Sequence, residues 1–136
     1  MLIRRSAAAI AALVLTFSLA ACGSQTVDEA CEIANSEAEA ALEKFQAIDP
    51  SDPDAAAKQV KEMASELNKI ADGLKNDEVQ ESLSDIAGSF ERIEDALGEL
   101  IDAGEDTEAL QATAETFTEI GTDMSEQRVA FDELCS

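Results

Sequence analysis

The chain has 136 residues, of which 30 are acidic and 9 basic, giving a formal net charge of −21 at pH 7, and it contains no histidine, tyrosine or tryptophan. A surface this acidic repels nucleic acid and anionic lipid head groups. Without histidine there is no Glu-x-x-His metal bundle, no histidine-ligated haem and no serine–histidine nucleophile, so neither an enzyme nor a cofactor is expected.

Met1-Leu2-Ile3-Arg4-Arg5 is a charged start, and an apolar stretch runs from Ala7 to Ala21, broken only by Thr16 and Ser18. At about 15 residues this run is shorter than the roughly 20 that a permanent membrane-crossing helix needs. It has instead the form of a signal peptide, with small residues before a cysteine. The quartet Leu19-Ala20-Ala21-Cys22 resembles the lipobox of prokaryotic membrane lipoproteins. The resemblance covers 22 of the 136 residues. It implies that residues 1–21 are removed on export and that Cys22 becomes the lipid-bearing first residue, its thiol carrying diacylglycerol. Two acyl chains, at roughly 0.8 kcal/mol per buried methylene, anchor stably where one is marginal. The location implied is the outer, extracytoplasmic side of the cell membrane, with residues 22–26 as a short lipidated tether.

Beyond Ala21 seven basic side chains face all 30 acidic ones, a formal charge of −23. High charge with few aromatics also fits disorder, but the apolar residues keep a regular phase that a disordered tail has no reason to keep. From Thr26 onward the pattern is helical, interrupted at Asp49-Pro50-Ser51-Asp52-Pro53, at Lys75-Asn76-Asp77 and at Ala103-Gly104-Glu105-Asp106. The helices expected are 27–48, 53–75, 78–102 and 106–134, together forming an acidic domain over 27–136.

The first helix opens on Thr26 and Glu29 as a capping box. Its stripe is rich in alanine: Cys31, Ala34, Ala38, Ala41, Phe45 and Ile48. The second starts from Asp52 with proline at the first helical position, and its stripe is Ala56, Val60, Met63, Leu67, Ile70 and Leu74. For the third, Asp77 with Gln80 repeats the capping box, ahead of Val79, Leu83, Ile86, Phe90, Ile93, Leu97 and Leu100. The fourth is expected to be capped by Asp106 with Glu108, and keeps Leu110, Phe117, Met124 and Phe131 one heptad apart, with Ile120 and Leu134 between. Gly121, beside that seam, would let a neighbour approach. A 3.5-residue repeat keeps one stripe against its partners in a left-handed bundle, and short turns make successive helices antiparallel. No alternating strand pattern competes. The fold class is therefore all-α, an antiparallel up-down four-helix bundle with heptad-type packing.

With Cys22 lipidated, Cys31 and Cys135 remain, and an exported domain meets an oxidising compartment. An even number of antiparallel helices brings both chain ends to one end. Three helices would leave them roughly 30 Å apart, too far for a bridge. A Cys31–Cys135 disulfide is thus expected; two free thiols or an intermolecular bridge are the alternatives.

Carboxylates gather at Glu91, Glu94 and Asp95, at Glu37, Glu39 and Glu43, and in the loop at Asp49, Asp52 and Asp54. The loop lacks the glycine and the twelfth-position glutamate of a calcium-binding EF-hand, and solvated helix faces account for the others. No metal ligands are assigned. The expected function is a monomeric, non-catalytic protein-interaction module of the cell envelope, held to the membrane through Cys22 and taking a basic or helical protein partner. The alternative is a lipoprotein that binds a divalent cation or small ligand.

Overall fold

The computed structural model describes residues 23–44 and 52–136, which form four helices and no strand: α1 (Val27–Lys44), α2 (Pro53–Gly73), α3 (Asp77–Ala103) and α4 (Thr107–Leu134). The expected signal segment 1–21, Cys22, and the positions Phe45, Ile48 and Asp49 lie outside the described residues. The helices form an antiparallel up-down bundle in which α3 is central, packed along α2 and α4 and touched by α1. No helix among the described residues is long and apolar enough to cross a membrane.

Local chemistry explains where the helices start. The Glu29 N–H donates to Thr26 Oγ1 at 3.2 Å, and the Thr26 N–H donates to Glu29 Oε2 at 3.0 Å, which closes the capping box of α1. Asp52 accepts from the Ala55 N–H at 3.0 Å ahead of Pro53. Asp106 accepts from the backbones of Glu108 and Ala109 at 3.0 and 3.2 Å. The third start differs from the sequence expectation. Asn76, not Asp77, is the N-cap, accepting from the Val79 N–H at 3.1 Å, and Asp77 lies in the first turn. Asn76 has the extended backbone a cap needs, and its amide is held by the Gln25 carbonyl at 3.1 Å, a long-range contact that local sequence does not carry. At the other end of α3 the chain turns through Gly104 at φ 55°, where a side chain would be strained.

The hydrophobic stripe of α2 is wholly buried, from Ala56 through Val60, Met63, Leu67 and Ile70 to Leu74. On α3 the stripe divides: Val79 and Leu83 are buried, while Ile86, Phe90, Ile93, Leu97 and Leu100 are half-buried and Ala87, Ser89 and Ala96 are buried instead. A helix with neighbours on more than one side buries a broad arc rather than one seam. On α4 the expected stripe is buried only in part, at Ile120 and Phe131. Thr113, Ile120 and Phe131 are buried, whereas Leu110, Phe117 and Met124 are half-buried. The reason is that the extensive packing of α4 is against α3, so its inner face follows that one partner. Gly121 does not serve a close approach, since a Cβ there would meet nothing within 4 Å.

The continuous core lies toward one end of the bundle, where Ala30, Cys31 and Ala34 of α1 meet Leu67, Ile70, Ala71 and Leu74 of α2, Val79 and Leu83 of α3, and Phe131 of α4. α1 contributes mainly methyl groups to it, so its backbone can lie close to its neighbours while burying little apolar area per residue.

Candidate functional site

The same end of the bundle gathers the covalent and polar fastenings of the chain. Cys31 and Cys135 form a disulfide with a Cα–Cα distance of 5.5 Å, joining the start of α1 to the residue after α4. Cys31 is buried and Cys135 half-buried, so the bridge is part of the core.

Beside it, Gln25 fastens the segment preceding α1 to the α2–α3 turn. Its N–H donates to the Lys75 carbonyl at 3.2 Å, and its side-chain oxygen accepts from the Lys75 N–H at 2.7 Å. Its own carbonyl accepts from Asn76 Nδ2 at 3.1 Å. The pattern resembles a short piece of β ladder closed by two side chains, and it supplies partners to turn amides that no helix would serve. Sequence reading missed this clasp because nothing within a few residues of Gln25 signals it.

The acidic positions are placed as follows. Glu91, Glu94 and Asp95 line a shallow groove between α2 and α3 together with Lys61, Asn68 and Lys69. Two of the three carboxylates are engaged across the groove: Glu94 with Lys61 Nζ at 2.8 Å and Glu91 with Asn68 Nδ2 at 2.9 Å. The Glu94 hydrogen bond and charge raise the Lys61 ammonium above its ordinary range against an opposing desolvation, and the charge of Asp95 adds a lesser push in the same direction. Glu37, Glu39 and Glu43 are exposed along α1, Asp52 is a helix cap, and Asp54 is exposed in the first turn of α2. Among the described residues no three metal-ligating side chains converge.

On the opposite flank of α3, Arg92 Nη1 meets Asp123 Oδ2 of α4 at 2.6 Å, and buried Ser89 donates to Gln127 Oε1 at 2.7 Å. These polar ties, which hydrophobic periodicity does not reveal, link α4 to α3. Lys61 and Arg92 join neighbouring helices, and Lys69 and Arg128 lie 3.6 and 3.9 Å from Glu66 and Asp132 of their own helices. Cations in short supply are thus set among carboxylates, and the field the domain presents outward is negative.

No curated protein and no solved structure matches the chain at a significant level. A family described as "Domain of unknown function (DUF8711)" matches residues 24–122, which takes in the clasp, α1, α2, α3 and the first half of α4. The chain belongs to that family.

Proposed function

We propose that the protein is a lipid-anchored, non-catalytic interaction module of the cell envelope, tethered through Cys22 on the outer side of the membrane and recognising a basic protein partner. The observation that carries the reading is the strong acidic excess, 30 acidic residues against 9 basic in a chain whose interhelical cations, Lys61 and Arg92, already hold carboxylates of their own. Such a field accelerates encounter with a basic surface and repels acidic ones. The lipobox-like quartet at Cys22 supports the anchor.

In-cell crosslinking of the full-length protein, with Cys22→Ala as control, tests the proposal. A reproducible basic partner that is captured from membranes and lost with the control is the expected result. Retention of Cys22→Ala on washed membranes would overturn the lipid anchor, and an acidic or absent partner would overturn the recognition.

The cation- or ligand-binding alternative draws on the α2–α3 groove, where Glu91, Glu94 and Asp95 share one wall. Since Lys61 and Asn68 already engage two of them, a divalent ion would have to displace both. Calorimetry against calcium separates the readings, as stoichiometric binding would favour the alternative.

A further inference from the structure

We propose that the bundle stands end-on at the membrane, with the end built from the Gln25 clasp, the α2–α3 turn and the Cys31–Cys135 bridge facing the lipid and the Gly104 turn pointing away. The inference rests on the lipid-anchor reading above and adds an orientation to it.

Three observations carry it. Gln25 is bonded to Lys75 and Asn76 through both its backbone and its side chain, so the segment before α1 is fastened to the α2–α3 turn. From Cys22 to Gln25 are three Cα–Cα steps of about 3.8 Å each, so a lipid on Cys22 lies within roughly 11 Å of the clasp. The disulfide fixes the start of α1 and the end of α4 at this same end. The far end, marked by the Gly104 turn and the start of α2 at Pro53, is one helix length away: α4, with 28 residues, is about 42 Å long.

Charge selects the upright posture over one lying flat. Carboxylates are spread along the length of the helices, for example Glu37, Glu43, Glu62, Glu99 and Glu115, all exposed. A bundle lying on an anionic surface would bring a whole flank of them within a Debye length, about 10 Å at 0.1 M salt. Standing on the clasp end brings only the carboxylates of that end so close. The surface left for a partner is then the distal end and the upper flanks, including the turn at Gly104, Glu105 and Asp106.

The test uses the full chain, expressed so that Cys22 is processed and then placed in vesicles of phosphatidylcholine and phosphatidylglycerol carrying an energy-transfer acceptor on their head groups. With Cys31 and Cys135 bridged and Cys22 in thioether linkage, a single introduced thiol takes the donor. Glu78→Cys labels the clasp end and Glu105→Cys the far end; both positions are exposed. The expected result is strong transfer from position 78 and weak transfer from position 105, matching a height difference of about 40 Å for 27 intervening helical steps. Equal transfer, or stronger transfer from position 105, with diacylglycerol found on Cys22 by mass spectrometry, would overturn the orientation and leave the anchor standing. Absence of lipid from Cys22 in the same sample would overturn the anchor and the orientation with it.

Discussion

Replacing Cys31 and Cys135 by alanine opens a loop whose ends are 104 residues apart in sequence. In the chain-entropy model, closing a loop of this length restricts the unfolded chain by about 4.7 kcal/mol at 25 °C. Domains of this size are stable by about 5–15 kcal/mol in all, so the bridge accounts for a large share of the margin. At about 4 °C per kcal/mol, the melting temperature should fall by roughly 20 °C. A second effect is local. α1 enters the core mainly through Ala30, Cys31, Ala34 and Ala41, each methyl-sized group being worth about 0.8 kcal/mol, so this helix depends on its fastenings more than α2 or α3 does. Thermal unfolding followed by circular dichroism measures the first effect, and hydrogen exchange of α1 amides against those of α2 measures the second. A fall of less than about 5 °C, equivalent to roughly 1 kcal/mol, would refute the loop argument. Equal loss of protection in α1 and α2 would refute the local one.

Gln25→Ala, which leaves the Lys75 N–H without its acceptor, should destabilise by about 1 kcal/mol and speed exchange of that amide. In α4, Gly121→Ala meets open space and should stabilise by up to about 1 kcal/mol; Gly104→Ala, at φ 55°, should destabilise by a similar amount. Paired urea titrations give both signs. Leu67→Ala, at 4% exposure in the centre of the α2 stripe, should cost about 2–5 kcal/mol in the same assay. Because Glu94 raises the Lys61 ammonium, its contribution is present below the ordinary value of 10.5 and is lost as pH rises through the higher folded value. In Glu94→Gln an NMR titration of Lys61 should move back toward 10.5; an unchanged midpoint would sink the assignment. With 30 acidic residues against 9 basic, added salt should raise the melting temperature, since exposed ion pairs such as Arg128 with Asp132 contribute little and long-range repulsion is what salt screens.

The all-α class, the four helices and the expectation of the bridge are legible along the chain, because each rests on short-range or topological physics. Heptad spacing needs only the helical period, Pro53 and Gly104 act within one turn, and an even number of antiparallel helices puts Cys31 and Cys135 at one end. Three of the four helix starts were also legible, since Thr26, Asp52 and Asp106 bond residues two or three positions away. The rest depends on contacts between residues far apart in the chain. Asn76 displaced Asp77 as a cap through a contact with Gln25, 51 residues distant. On α4 the expected Ile120 and Phe131 are buried together with Thr113, while Leu110, Phe117 and Met124 stay half-buried, and Ser89 with Gln127 and Arg92 with Asp123 link the helix to α3. Glu91 and Glu94, which read along the chain as part of a solvated helix face, hold Asn68 and Lys61 of the facing helix. Periodicity reports which side of a helix is apolar, whereas how one helix faces another depends on side-chain packing between them and on long-range pairs that leave no periodic trace in the chain.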